Sequence, residues 1–424
     1  MLSAASYRQH RQQLTALLKP GHIAVVLGND IMQGNGDGTL PYRPNSDLLW
    51  LTGIAQEETA LLLFPDHPVE SSRSILFVKR VDAQFVKWHG KRHSLEEASQ
   101  ISGIGNVQWY DDFEKTFSAA AVYAAGFYLN TTEHPRAGEK RDTPNDRFIK
   151  WCMQRFPLHP IERLAPLMAD LRVVKSPEEI ALMQAACNIS EKGFRRLLPF
   201  IKPGVREQQI AAELIHEYMQ HNGDWAHYEP IVASGENSCI LHYITNHNIC
   251  RDGDILLIDA AASFQHYNAD LTRTIPVNGR YTPRQKEVYN AVLKVHKAIK
   301  AFATEGMYLR DIQAYNNELI IEQLVGLQLF NMSDLKKHGV QHFLNAYNYH
   351  GFGHYLGLDV HDTGHDHKPL KAGTAITVEP GIYIQREHIG VRIENNIIIG
   401  KGSNTDLMAG IPIEVEEIEA LMNV

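Results

Sequence analysis

The chain has 424 residues, 44% of them hydrophobic and 21% charged, which suits a globular protein of two or three domains at about 150 residues each. A formal net charge of −8 without any basic cluster argues against a nucleic-acid or anionic-membrane partner. No apolar run approaches the ~20 residues of a membrane span, and residues 1–8 lack the continuous apolar core of a signal peptide.

Along the chain, residues 7–19 have a helical pattern that stops at Pro20-Gly21, and 23–27 read as a short strand. The glycine-rich stretch with Gly34, Gly36 and Gly38 lacks the spacing of a phosphate cradle, so a mobile loop is expected there. After 45–53 come strands at 60–64 and 74–78 and a helix at 82–89, the alternation of an α/β domain. Pro157, Pro160 and Pro166 cluster where that domain should end, and the boundary is placed so that the domains are 1–172 and 173–424. Ser176-Pro177-Glu178-Glu179 then starts a helix, with Ser176 as N-cap and Pro177 in the first turn. That helix should run to about 198. Further helices are expected at 206–221, 283–305 and 309–326, with strands carrying the rest through 397–399. Cys152, Cys187, Cys239 and Cys250 form no CxxC pair and read as buried free thiols in a reducing, cytoplasmic compartment.

Four acids stand out by their chain context. Asp259 ends the apolar run Ile255-Leu256-Leu257-Ile258, and Asp270 opens the strand-like segment through Ile275. A hairpin turning at Phe264-Gln265 would set the two aspartates directly opposite, on one face. Glu379 closes a second apolar run and Glu394 follows Gly390-Val391-Arg392-Ile393, so a turn at Arg386-Glu387 would pair the two glutamates likewise. Gly253 and Gly373 each precede the first acid of a pair by six residues, as two related halves would. Most single acids are solvated surface groups. Facing like charges at the ends of apolar strands are destabilising unless a cation lies between them, and carboxylate oxygens suit a divalent ion. Four such groups can bridge two ions about 3.5–4 Å apart, the spacing of co-catalytic hydrolase sites. Pro380 cannot donate to a ladder, so an edge or bulge is expected beside Glu379. Between the two pairs lie glycine-flanked histidines, His350, His354 and His361, and His242 precedes the first pair.

The segments Leu257-Ile258-Asp259, Asn268-Ala269-Asp270-Leu271-Thr272-Arg273-Thr274, His354-Tyr355-Leu356-Gly357-Leu358-Asp359-Val360-His361-Asp362, Thr377-Val378-Glu379-Pro380-Gly381 and Gly390-Val391-Arg392-Ile393-Glu394 resemble, in order and spacing, the pita-bread metallopeptidases. That family comprises methionine aminopeptidase, prolidase and aminopeptidase P. The resemblance spans essentially the whole chain and is strongest toward aminopeptidase P. It is carried there by Tyr42-Arg43-Pro44-Asn45-Ser46-Asp47 with Leu51-Thr52-Gly53, by Trp88-His89-Gly90-Lys91-Arg92 and by the ending Glu416-Glu417-Ile418-Glu419-Ala420-Leu421-Met422. Departures are Ala261 where the family often has glycine, Asn395 where an acid commonly stands, and a short 379–394 segment.

The resemblance implies an α+β protein: a pita-bread catalytic domain with pseudo-twofold antiparallel hairpins, preceded by an α/β creatinase-like N-terminal domain. It implies two divalent metal ions, manganese favoured, with cobalt or zinc as substitutes. Asp259 would chelate one ion, Asp270 and Glu394 would bridge both, and His354 and Glu379 would complete the set. The reaction implied is hydrolysis of an N-terminal Xaa-Pro bond by a metal-bridging hydroxide, with Glu379 as proton acceptor and His242 and His361 as catalytic residues of the substrate wall. His350 would also bind substrate, Arg392 would orient Glu394, and Tyr383 would hydrogen-bond near the site or pack its wall. Trp88 would either reach an active-site mouth, that of a neighbouring subunit included, or pack its own domain. Substrates would be peptides with proline second, and the assembly a homodimer or homotetramer. The alternatives are a prolidase restricted to Xaa-Pro dipeptides and a non-catalytic pita-bread binding protein. Such binding proteins commonly lose metal ligands, and here all five stand. Organophosphate hydrolysis is a conceivable side activity of such a site.

Overall fold

A computed structural model describes residues 1–131, 133, 142–226 and 228–423. The chain divides into two compact units, Met1–Arg172 and Val173–Val424.

The first unit is built on a six-stranded mixed sheet of β1 (His22–Leu27), β2 (Ala60–Leu63), β3 (Ser74–Val78), β4 (Asn106–Trp109), β5 (Gly126–Leu129) and β6 (Ile161–Arg163), in the order β4-β3-β2-β1-β5-β6. Strand β1 is central and buried on both faces, which is why it reads as one apolar run rather than an alternation. One face of the sheet, with Val25, Leu62, Phe77 and Phe127, packs on an aromatic cluster of Phe113, Phe117 and Phe148. Helix α1 (Ala4–Thr15) starts at Ser3, earlier than expected, because the Ser3 hydroxyl caps Ser6 N–H. The glycine-rich stretch forms a small exposed hairpin, Gln33–Asn35 with Gly38–Thr39. Helix α2 (Ala83–His89) is capped by Asp82, and its Trp88 is 77% exposed.

The second unit opens on α3 (Pro177–Phe200), which begins with the expected Ser176 capping box, here closed by Glu179. Helix α4 (Glu207–Gln220) follows, and later come α5 (Pro283–Phe302) and α6 (Leu309–Gly326). Between α4 and α5 lies the first hairpin system. Strand β8 (Ile255–Asp259) sits between β7 (Ile231–Ser234) and β11 (Thr272–Pro276), and the short strands β9 (Ala262–Phe264) and β10 (Tyr267–Asn268) close the hairpin. The second system pairs β12 (Ala375–Val378) with β15 (Asn395–Ile398), and β13 (Gly381–Ile384) with β14 (Ile389–Arg392). Residues 332–347, expected to be extended, instead form two short helices, Met332–His338 and Val340–Tyr347. An Asn331–Asp334 capping box starts the first, and Gly339 at φ 79° separates them.

The two registers differ. In the second system Val378 pairs with Asn395 and Gly381 with Arg392, which sets Glu379 and Glu394 opposite each other as expected. Pro380 interrupts the ladder between β12 and β13, and only its carbonyl takes part, accepting Ile393 N–H. In the first system Asp259 pairs with Thr272, not with Asp270. The turn falls at Gln265-His266, both at positive φ (49° and 72°), a two-residue mirror-image turn whose twist matches the strands. The expected register was thus displaced by two residues. Side chains alternate with period two, so Asp259 and Asp270 stay on one face as diagonal neighbours.

The lead-in glycines match, Gly253 at φ 83° and Gly373 at φ 89°. The hairpins are stitched together where Glu394 N–H donates to the Thr272 carbonyl, and where the Thr274 hydroxyl and the Arg392 main chain bond each other.

Candidate metal centre

Asp259 and Asp270 reach the same point from adjacent strands. The Tyr228 hydroxyl lies 2.8 Å from Asp259 Oδ1 and 2.9 Å from Asp270 Oδ1, and its single proton can serve only one of them at a time. The other Asp259 oxygen, Oδ2, accepts from Arg392 Nη2 at 2.7 Å. This corrects the expected role of Arg392, which does not pair with Glu394. Its Nε donates to Thr272 Oγ1, and that hydroxyl donates in turn to Glu394 Oε2 at 2.7 Å. Arg392 and Glu394 are two residues apart in the chain, but the buried guanidinium extends across to the neighbouring hairpin.

His354 comes from the loop before β12. Gly353 makes the approach feasible, since a Cβ there would meet the Thr377 carbonyl oxygen at 2.1 Å. His354 N–H donates to Thr377 Oγ1 at 3.0 Å, and Thr377 N–H to the His354 carbonyl at 2.9 Å. With Nδ1–H donating to the Tyr355 carbonyl at 2.9 Å, Nε2 faces the acids, 3.4 Å from Asp270 Oδ2 and 3.7 Å from Glu379 Oε1. The His361 ring stands edge-on to His354, with centroids 4.3 Å apart. Their shared loop is anchored from hairpin one, where Asn268 Nδ2 donates to the Gly357 and Leu358 carbonyls. It is anchored again by the buried Lys175–Asp362 pair at 2.8 Å.

The electrostatics are those of acids crowded out of water. Burial, with the charges of Asp270, Glu379 and Asp259, pushes Glu394 well above the usual carboxylate range. Burial also raises Glu379 to about 7, although His354 and Arg392 pull it down. Asp259 is raised by burial and by Asp270 against the pull of Arg392. Burial pulls His354 down, but Asp270 and Glu379 outweigh it and leave its pKa raised.

Asp270, His354 and Glu394 each offer a ligand atom, all within 4.8 Å of one another. Glu394 Oε1 is buried, and no group among the described residues bonds it. A lone pair left unsatisfied inside a protein is costly. An oxygen-rich donor set with one imidazole and an unbonded carboxylate oxygen fits a divalent cation.

Beside the acids, the Tyr383 hydroxyl lies 2.7 Å from His350 Nε2 and accepts from Arg392 Nη1 at 2.9 Å, so Tyr383 both bonds near the centre and packs its wall. His350 Nδ1 lies 3.9 Å from Glu379 Oε2. His242 is exposed on the loop after the turn Gly235–Cys239, and no hydrogen bond holds its ring among the described residues. Trp88 is on the other unit. Its ring is largely exposed.

Sequence reasoning did not single out Tyr228, Thr272 or the Lys175–Asp362 pair. Thr272 carried a usable signal, since it lies two residues after Asp270 and so on the same strand face. Tyr228, in an irregular segment, carried none. Asn395, a departure from the family pattern, binds Arg273 and Asp406 rather than any of the four acids.

Paired hairpins that converge buried carboxylates and an imidazole define a class of metal-dependent hydrolases. The chain belongs to metallopeptidase family M24, whose model matches residues 181–401. A model of the aminopeptidase P N-terminal domain matches residues 7–126, so the expected fold holds for both parts. The Xaa-Pro aminopeptidase of Haemophilus influenzae is 32% identical over 437 residues, covering 100% of this chain and 98% of that one. Among solved structures, zinc-substituted Escherichia coli aminopeptidase P in complex with product has a TM-score of 0.90 at 29% identity, covering 100% of this chain and 98% of that one. Pseudomonas aeruginosa aminopeptidase PepP has a TM-score of 0.89 at 30% identity, with the same coverage.

Proposed function

We propose that this protein is an Xaa-Pro aminopeptidase, releasing the N-terminal residue of peptides with proline second, and that Asp259, Asp270, His354, Glu379 and Glu394 hold two divalent ions. The observation that carries the reading is the convergence of Asp270, His354 and Glu394, with a buried Glu394 oxygen that no donor among the described residues satisfies. Relatives named Xaa-Pro aminopeptidase along the whole chain support the substrate class. Asp270 and Glu394 would be shared between the ions, Asp259 would hold one of them, and His354 with Glu379 would complete the set. The donor set favours manganese, with cobalt or zinc as substitutes.

When bound, the metal pair would supply Lewis acidity and lower the pKa of the attacking water. The chain does the rest. Glu379, 3.7 Å from His354 Nε2, takes and returns the proton of the attacking water. Arg392 holds Asp259 in one orientation by a charge-assisted bond. His361, beside His354, and His242, on its loop, stabilise the developing oxyanion and the leaving proline nitrogen. The Tyr383–His350 pair forms the substrate wall. The Xaa-Pro bond is a tertiary amide without N–H, so a site that asks for no hydrogen there favours it. Trp88, exposed on the N-terminal unit, is a contact residue for substrate or for a second subunit of a homo-oligomer. Four buried, unpaired cysteines support a reducing, cytoplasmic setting, and among the described residues no helix is long and apolar enough to cross a membrane.

The test is metal analysis of purified protein together with assays on Gly-Pro and Ala-Pro-Ala. We expect bound divalent metal and release of alanine from the tripeptide. Cleavage of the dipeptide alone would make the protein a prolidase. Full metal loading without hydrolysis of either peptide would make it a binding protein.

A further inference from the structure

We propose that Glu207 is a positioning residue for His242, acting through Tyr243. Glu207, the first residue of α4, is fully buried and has no cationic partner among the described residues. Its charge is met entirely by donors. Oε1 accepts Ser234 N–H at 2.8 Å and the Ser234 hydroxyl at 2.7 Å. Oε2 accepts the Tyr243 hydroxyl and Asn248 N–H, both at 2.9 Å. All four lone-pair positions of the carboxylate are thus in use.

These donors are not scattered. Ser234 ends β7, Asn248 lies fourteen residues later, and Tyr243 sits in the middle of the intervening loop, next to His242. One carboxylate therefore ties the two ends of the loop and its centre to a single point. Asn246 adds a second tie, accepting Val232 N–H at 2.9 Å and donating to the Pro230 carbonyl at 2.7 Å. The base of the loop is seated beside the metal centre. Gly390, two residues before Arg392, donates its N–H to Ser238 Oγ, and a Cβ at Gly390 would meet the Ser238 carbonyl at 2.0 Å. Tyr349, stacked on Tyr383 with ring centroids 4.8 Å apart, donates its hydroxyl to the Cys239 carbonyl. Tyr243 also packs in one apolar cluster with Tyr383.

The His242 ring itself is exposed and unbonded, so its position depends on its backbone, and its backbone depends on Tyr243. A single hydroxyl bond to a buried charge is strong because both partners are out of water. Misplacing a group by about 1 Å can cost 10²-fold in rate. The inference rests on the proposed role of His242 in turnover, but it makes a separate claim about what sets that residue in place.

The test uses the full-length, metal-loaded protein and the Ala-Pro-Ala assay, with His242→Ala, Tyr243→Phe and the double variant. His242→Ala should lower kcat by roughly 10²-fold. Tyr243→Phe keeps the ring and the other three bonds to Glu207, and should lower kcat by about tenfold with KM and metal content unchanged. In the His242→Ala background, Tyr243→Phe should have no further effect, because Tyr243 acts only through the missing imidazole. Glu207→Gln, which turns an NH₂ toward donors, should have the larger effect of the two single-step disruptions. Hydrogen exchange of the amides of 240–248 should rise in Tyr243→Phe, a readout that does not depend on turnover. A Tyr243→Phe protein with unchanged exchange and unchanged kcat would overturn the proposal, as would equal kcat losses in both backgrounds. Normal turnover of His242→Ala would overturn the role of His242 and the proposal with it. An impaired His242→Ala beside a silent Tyr243→Phe would overturn the clasp alone.

Discussion

The two hairpin systems of the C-terminal unit deliver their acids by different registers. In the second, Glu379 and Glu394 lie opposite each other across a ladder. In the first, Asp259 and Asp270 are diagonal, because the two-residue turn at Gln265-His266 places Asp259 across from Thr272. Each arrangement uses its offset. The diagonal leaves Thr272 directly beside the second hairpin, where its hydroxyl bonds Glu394, and the Tyr228 hydroxyl meets both aspartates. The hairpins also differ in cation support. Asp259 has Arg392 at 2.7 Å, whereas Glu394 has only the Thr272 hydroxyl and one unbonded oxygen. Matching acids at matching strand ends therefore do not imply matching environments, and a metal should depend most on the acids the protein leaves unpaired.

The sharpest way to break the comparison is to remove one acid from each hairpin at the proposed bridging positions. Asp270→Ala and Glu394→Ala should each abolish metal-dependent hydrolysis and lower bound metal while leaving circular dichroism and the melting transition largely intact. A folded Asp270→Ala protein with normal turnover would sink the ligand assignment. Next in size is His361→Ala, which should retain metal and lose about 10²-fold or more in kcat. If metal content collapses instead, His361 is a ligand and the division of roles is wrong.

Thr272→Val tests the joint between the hairpins. Val has the same shape without the hydroxyl that bonds Glu394 and Arg392. Loss of such an outer contact typically costs 10–100-fold in metal affinity or activity, and isothermal titration with Mn²⁺ would read it. Unchanged metal affinity would mean that the two hairpins act independently. Tyr228→Phe should have a smaller effect on the same titration, confined to the aspartate hairpin.

The smallest expected effect lies outside both hairpins and serves as a control. His296 on α5 is fully buried, with neither ring nitrogen bonded among the described residues, and burial together with Arg273, Lys300 and Lys297 holds its pKa well below the usual value of 6.5. The folded state therefore refuses a proton that the unfolded chain accepts. The stability this contributes is present above pH about 6.5 and is lost as pH falls below it. His296→Leu should flatten that acid limb in thermal melts recorded from pH 7.5 to 5. A limb of unchanged slope would show that other groups control acid sensitivity.

Much of the site was legible in the sequence because it depends on parity and chain position. An acid at the end of an apolar strand keeps its face under any even register shift, which is why the expected hairpin brings the aspartates together even though its turn falls one position early. The capping box at Ser176 and the interruption at Pro380 are likewise local events, decided by side-chain oxygens and a missing N–H within a few residues. Tertiary structure alone decided which partner each polar group takes. Arg392 is near Glu394 in the chain but pairs with Asp259, since burial rewards the nearest unpaired charge in space rather than in sequence. Tyr228 meets the aspartates, and Glu207 the His242 loop, across separations of 31 to 42 residues. No periodicity encodes such contacts, because they exist only once strands from distant segments have stacked and removed the water between them.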